Sequence, residues 1–367
     1  MSKVIDGLPV EHDFYMPGEH APQEQVWMAW PVRSDNWRNG AKPAQKAFVD
    51  VARVIAEETQ VVMLVSQSQY KNAREQLPSH IRVIEMSYND CWMRDMGATC
   101  LIHQTQELRR GISWNFNAWG GLVDGLYFPW DLDDLVAEKM LNLMGDDIYD
   151  IPMVLEGGSI HTDGEGTLFT TEECLLHPSR NPDMSKQEIE NRLKSVLGIN
   201  KVIWLPNGLY NDETNGHVDN IMHVVKPGEV ILTCCDDPND PQYRISQKAL
   251  DVLSSETDAK GRTIKVHKIP MPGPLYITEE EAEGVDSSDG MERHAGERLG
   301  ASYSNFLVTN NLVVYPLLDE HCDEQAKEVL ECAFPEHQVV GVKAREILLG
   351  GGNIHCITQQ IPKVKAG

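Results

Sequence analysis

Basic residues are scarce in this chain, and long apolar runs are missing altogether. Its 367 residues hold 32 Lys and Arg against 56 Asp and Glu, a formal net charge of −24. Nucleic acid and anionic membrane surfaces both reward Lys and Arg, so neither is expected as a partner, while a cationic ligand is permitted. The best apolar run, Val61 to Val65, is the size of a strand; a membrane span needs about 18 apolar residues or more. The opening Met1-Ser2-Lys3-Val4-Ile5-Asp6 lacks the apolar stretch of a secretory signal, which points to a cytoplasmic protein. Eight cysteines with no CxxC pair are not a disulfide framework, so reduced thiols are expected. There is no HExxH, no paired-cysteine metal spacing and no EF-hand loop. Gly164-Glu165-Gly166 lacks the third glycine of a dinucleotide fingerprint, and neither GxxxxGK[ST] nor GxSxG occurs. No metal and no cofactor is expected.

What is present is the alternation of an α/β protein. Strand-like runs recur at Val61–Val65, Met153–Leu155, Val202–Leu205, Val230–Leu232, Phe306–Val308 and Leu312–Val314. Helix-like stretches lie between several of them: Lys42–Glu58, Asp131–Met144, Ser185–Leu197, Tyr243–Leu253 and Glu324–Phe334. In the first, Ala44, Ala47, Phe48, Val51 and Ile55 recur at helical spacing. Ser185 and Glu188, three apart, have the form of a capping box. No Pro/Ser-rich linker divides the chain, so a single domain over 1–367 is expected. Residues 276–300 stand apart, with eight acids and two Arg among Gly and Ser; they read as an acidic surface insertion.

An internal echo links two distant segments. Leu155-Glu156-Gly157-Gly158-Ser159-Ile160-His161 and Leu349-Gly350-Gly351-Gly352-Asn353-Ile354-His355 agree at five of seven positions, 194 residues apart. That spacing suits a supersecondary unit used more than once rather than a short solenoid repeat.

The reactive candidates gather near these turns. Cys356 follows the Gly-Gly-Gly turn, where a ligand can approach closely. His355 is a poor base for it, because neighbours on an extended chain point to opposite faces. Along Glu213-Thr214-Asn215-Gly216-His217-Val218-Asp219-Asn220, an extended chain places Glu213, His217 and Asp219 on one face; a solvated strand edge carries the same letters. His is the natural general acid/base near neutral pH. Asp95 lies beside Arg94 and Trp92, and a buried Asp there needs a cation or several donors. Glu156 sits in the first Gly-Gly turn. A thiol and an imidazole with several carboxylates would repel an anionic substrate. A planar guanidinium, with its fork of N–H donors, suits the carboxylates. The composition of the site therefore points to thiol attack on a guanidinium carbon.

At this point the sequence resembles the agmatine deiminase family of the peptidyl-arginine deiminase-like superfamily. The segments that carry the resemblance are 213–220, Leu155-Glu156-Gly157-Gly158, 350–360, Trp92-Met93-Arg94-Asp95-Met96-Gly97, Phe116-Asn117-Ala118-Trp119-Gly120-Gly121 and Met16-Pro17-Gly18-Glu19. Together they span nearly the whole chain. The resemblance implies a pentein fold, a five-bladed α/β propeller of ββαβ units, with the 155 and 349 turns equivalent in different blades. It implies hydrolysis of agmatine to N-carbamoylputrescine and ammonia in polyamine metabolism, through a covalent amidino-cysteine. By the same resemblance Cys356 is the nucleophile, Asp95 and Asp219 grip the guanidinium, His217 is the acid/base and Glu156 bonds to His217. Glu213 is a candidate for the substrate's ammonium, with Trp92 against the methylenes or in a cation–π contact; core packing explains Trp92 as well. No cofactor is implied, and a homo-oligomer is. An arginine or peptidyl-arginine deiminase, an amidinotransferase or a non-catalytic polyamine-binding protein would share much of this polar set. A metal-dependent ureohydrolase is the remaining alternative.

Overall fold

The computed structural model describes residues 2–287 and 290–364. Its strands form five separate sheets of three or four strands, and all five share one plan. An inner strand pairs antiparallel with the next, which pairs in parallel with a third. Thr99–His103, Arg109–Asn115 and Asp147–Val154 make one such set. His161–Thr162, Thr167–Thr171 and Lys201–Leu205 make another. Met222–Lys226, Glu229–Cys234 and Lys265–Pro270 follow, then Leu307–Val308, Leu312–Leu317 and Gln338–Lys343. In the remaining sheet the antiparallel strand comes from the far end of the chain: Gln359–Pro362 pairs with Gln23–Ala29, which runs parallel to Gln60–Val65.

Parallel neighbours need a crossover, and a helix supplies it each time: Lys42–Ile55, Val136–Met144, Lys186–Leu197, Pro241–Ser255 and Asp323–Ala333. Ala44, Ala47, Phe48, Val51 and Ile55 are all buried on the first of these, as their spacing predicts. Ser185 accepts from the Glu188 N–H and closes its capping box, worth about 1 kcal/mol. The helix ends at Gly198, whose φ of 69° is left-handed and costs glycine little. Val61 to Val65 is buried at every residue, the mark of a strand covered on both faces. Among the described residues no helix is long and apolar enough to cross a membrane.

Three local expectations change. The helix expected from Asp131 begins only at Val136. The acids ahead of it are drawn to other segments: Asp133 accepts from the backbone N–H groups of Asn89 and Asp90, and Asp134 from that of Phe116. Residues 213–220 are not a strand. Asn215 and Gly216 have φ of 64° and 85°, which no strand accommodates, and Val218–Ile221 is one helical turn. Asn353 to Cys356 is not extended either; the Ile357 N–H returns to the Asn353 carbonyl at 3.2 Å.

Segment 276–300 is tied down rather than simply carried outside, with residues 288 and 289 outside the described set. The Ile277 N–H donates to the Glu297 carbonyl at 2.9 Å and that of Leu299 to Leu275 at 2.8 Å. Ile277 and Leu299 are buried, while Glu279, Glu280, Glu283, Asp286 and Glu292 are exposed.

Candidate active site

The turn that enters each sheet's inner strand brings a polar group to one place. Asp95 precedes the strand at Thr99, Gly158 the one at His161, Asp219 the one at Met222, Asn305 the one at Leu307 and Cys356 the one at Gln359. The internal echo has a spatial meaning here: its two terminal histidines, His161 and His355, stack with ring centroids 5.2 Å apart.

Gly158 is the point of convergence. A Cβ on it would lie 2.6 Å from His217 Nδ1 and 2.9 Å from both Asp95 Oδ1 and Asp219 Oδ2. Only a residue without a side chain permits that approach. Its backbone N–H donates to Asp95 Oδ1 at 2.8 Å, and the Trp119 indole N–H donates to Asp95 Oδ2 at 2.9 Å. Asp219 Oδ2 accepts from His355 Nδ1 at 2.8 Å, while its Oδ1 is buried without a hydrogen-bond partner. Cys356 Sγ lies 3.8 Å from Asp219 Oδ2 and 3.2 Å from the Asn305 side-chain amide nitrogen. His217 stands between Asp95 (3.8 Å) and Glu156 (3.9 Å).

The expected Glu156–His217 bond is therefore outside hydrogen-bond range. Glu156 Oε1 is held instead by Arg180 Nε at 2.7 Å, and both side chains are fully buried. Glu156 Oε2 and His217 Nε2 are both left without a hydrogen-bond partner.

Burial and neighbours set the charges. Burial, then Asp219 and Asp95, push the Cys356 thiol well above the usual range. Burial opposes charge on His217, but Asp95, Cys174 and Glu156 outweigh it and hold its pKa well above the ordinary value. The two flanking aspartates separate. Burial raises Asp95 to about 6, against the lowering effect of His217. Burial also acts against Asp219, but His355 outweighs it and keeps that pKa below the usual value.

Asp95 and Cys356 line a cleft with about 490 Å³ of empty space, together with Trp92, Trp119, Glu213 and Arg293. Glu156, His217 and Asp219 lie behind them, each at most 1 % exposed. Trp92 donates to Asp90 at 3.0 Å and stacks on Trp37 at 5.3 Å; it packs in the core with one edge on the cleft. Glu213 is engaged by Arg293, at 2.7 and 2.8 Å to its two oxygens. Segment 276–300 thus contributes to the cleft a residue that its acidic composition did not announce.

Sequence reasoning missed Asn305, Arg180 and Gly158 as site groups. Asn305 and Arg180 belong to no motif, and nothing local marks them. Gly158 was visible as half of a Gly-Gly turn. Among the described residues two groups have ligand atoms close enough to hold a metal: His161, His223 and His355, and Glu156, Cys174 and His217.

Known proteins resemble this chain over nearly its whole length. The model of the Porphyromonas-type peptidyl-arginine deiminase family matches residues 15–362. A protein of Photobacterium profundum, provisionally named agmatine deiminase, is 62 % identical over 99 % of this chain and 100 % of its own length. The structure of Enterococcus faecalis agmatine deiminase superposes with a TM-score of 0.97 at 48 % identity, covering 99 % of this chain and 100 % of that one. A cysteine-to-serine variant of C. jejuni agmatine deiminase with substrate bound superposes with a TM-score of 0.83 at 27 % identity, covering 96 % of this chain and 97 % of that one.

Proposed function

The chain belongs to the Porphyromonas-type peptidyl-arginine deiminase family, and from that premise we propose that it is an agmatine deiminase. The observation that carries the choice is the polarity of the cleft. Its inner end offers a buried thiol between two carboxylates, one of them with an unpartnered oxygen. Its mouth holds Glu213 in an ion pair with Arg293, so an ammonium arriving there shares Glu213 with that guanidinium, and Arg33 is paired with Asp35. A guanidinium fits the first and an ammonium the second. Among the described residues, the carboxylate of arginine finds no unpaired arginine in the mouth.

In the proposed reaction Asp219 and Asp95 hold the guanidinium nitrogens. Its positive charge offsets their effect on Cys356, so thiol deprotonation is coupled to substrate binding. The thiolate forms a bond to the guanidinium carbon. His217 gives its proton to the departing nitrogen, which leaves as ammonia, and an amidino-cysteine remains. Neutral His217 then takes a proton from water as the oxygen bonds to the same carbon. Collapse forms the carbonyl, returns the sulfur electrons, passes the remaining hydroxyl proton to the departing sulfur and releases N-carbamoylputrescine. Glu156, fixed by Arg180, keeps negative charge beside the imidazolium. Trp92 packs against the methylenes.

In the same reading the five ββαβ sheets are the five blades of a pentein propeller in one catalytic domain, with 276–300 an insertion that reaches the mouth. The shared plan of the sheets supports this. A homo-oligomer, a cytoplasmic location and a place in putrescine metabolism complete it.

The test is ammonia release from agmatine, free arginine and a blocked arginine peptide. Agmatine is expected to be the substrate, and equal rates on arginine would overturn the choice. Cys356→Ser should abolish turnover and keep agmatine binding; appreciable residual turnover would remove Cys356 as nucleophile.

A further inference from the structure

Beneath Asp219 lies a buried ionic chain that the proposed chemistry does not use. Glu19, Arg94 and His355 are 7 %, 3 % and 0 % exposed. Arg94 Nη1 is 3.2 Å from Glu19 Oε1. His355 Nε2 is 2.9 and 3.0 Å from the two Glu19 oxygens, and its Nδ1 is 2.8 Å from Asp219. Carboxylates face both ring nitrogens. Only the doubly protonated ring can donate to both. Charges then alternate along the chain: Arg94 positive, Glu19 negative, His355 positive, Asp219 negative. In a dry interior such a chain is tolerated because every charge has its partner. The residue at its far end also borders the nucleophile's turn, since the Arg94 backbone N–H donates to the Cys356 carbonyl at 3.1 Å.

We propose that Glu19 is a positioning residue: acting through His355, it keeps Asp219 ionised and fixed, with Oδ1 free for a substrate N–H. This rests on the reading of Asp219 as a guanidinium grip. The neighbourhood agrees. Burial works against Glu19, but His355, Arg94 and His161 hold its pKa well below the usual value. Around Asp219 stand His355, His217 and His161, with Cys356 and Asp95 on the reacting side. His161 and His223 pack against the chain, with ring centroids 4.4 Å apart and no hydrogen-bond partner on either ring. Burial lowers His161 to about 4 and His223 well below its usual value, so both are neutral at pH 7. They line the chain without adding charge.

A metal held by His161, His223, His355 and Glu19 is the competing occupant. It would require the Nε2 proton of His355 to leave and would place two more positive charges beside Arg94. The balanced chain needs neither.

The experiment has a substrate-free arm and a kinetic arm. Nitrogen NMR of the wild-type protein without ligand should show His355 doubly protonated at pH 7, and Glu19→Gln should convert it to the singly protonated ring. In turnover of agmatine, Glu19→Gln should lower kcat/KM by roughly 10–100-fold, the scale of losing one charge-assisted hydrogen bond. The acid limb of its pH profile should move upward, because Asp219 loses its cation. Glu19→Asp should restore part of both. A neutral His355 in the wild type overturns the proposal, as does an unshifted pH profile in Glu19→Gln. Zinc or another divalent metal at one per chain by elemental analysis overturns it in favour of the metal. If the wild type fails to turn over agmatine, the functional reading falls while the ring titration still decides the chain.

Discussion

The two ends of the cleft are built on opposite principles. At the inner end each carboxylate is held by a group that can stay in place when substrate arrives. Asp95 is held by the Gly158 N–H and Trp119, Asp219 by His355, and Glu156 by Arg180. At the mouth Glu213 spends both oxygens on Arg293, which itself also bonds Asn36 and the Gly350 carbonyl. A guanidinium can enter the inner end without breaking a bond there. An ammonium reaching Glu213 must displace or share a guanidinium. Preorganisation of the first kind supports rate, because only groups already aimed at the reacting atoms add stabilisation at no further cost. The second kind governs how tightly the distal end is held.

Gly158→Ala should break the inner end most completely. Gly158 is absent from the glycines with positive φ, so an alanine backbone fits without strain. Its Cβ, however, would lie 2.6 Å from His217 Nδ1 and 2.9 Å from Asp95 and Asp219. All three must shift, and misplacement of about 1 Å costs on the order of 100-fold. A fall of at least that size in kcat/KM on agmatine is expected, with the modestly lower Tm that overpacking a buried site brings. A loss confined to KM would mean the inner end is as adaptable as the mouth.

The sequence announced the inner end better than the mouth, and the reason is physical. A reactive turn must be tight, so glycine has to neighbour the reactive side chain, as at Gly158 and Gly352. Both occur in the echo. The helices and strands were legible because periodicity and caps are local, as with Phe48 and Ser185. Asn305 was not legible: an asparagine before a short buried strand has no distinctive pattern, and only the tertiary fold brings it to Cys356 at 3.2 Å. Arg293 was hidden for the opposite reason. It sits among exposed acids, which read as solvated surface, yet its side chain is only 6 % exposed. The extended reading of 213–220 failed at Asn215 and Gly216, where left-handed φ turns the chain.

The mouth can be tested by removing either partner. Glu213→Gln should raise KM for agmatine by about 10–100-fold with kcat changed little, the scale of one charge-assisted hydrogen bond. Arg293→Met should act in the other direction. It leaves Glu213 buried without its cation, so the substrate ammonium is drawn in more strongly and KM falls several-fold. A rise in KM with Arg293→Met would show that Arg293 holds Glu213 in place, and the contrast between the two ends would disappear.

The smallest expected effect compares the two aspartates within the inner end. Asp95 is raised from 3.8 to about 6 by burial, while Asp219 is held below 3.8 against burial by His355. A raised carboxyl binds its proton more tightly in the folded state. Its contribution to stability is therefore complete below its unfolded value and is lost as pH rises through about 6. Asp219 has the opposite sign: its contribution is present above its unfolded value and is lost as pH falls. Asp95→Asn keeps the shape and cannot titrate. It should flatten the decline of Tm between pH 4 and pH 6 by roughly 2–4 °C, in thermal melts without ligand. A steeper decline in Asp95→Asn would mean that Asp95 is already ionised in the empty site. The two carboxylates would then titrate alike, rather than one keeping its proton up to about 6 and the other losing it below the usual value.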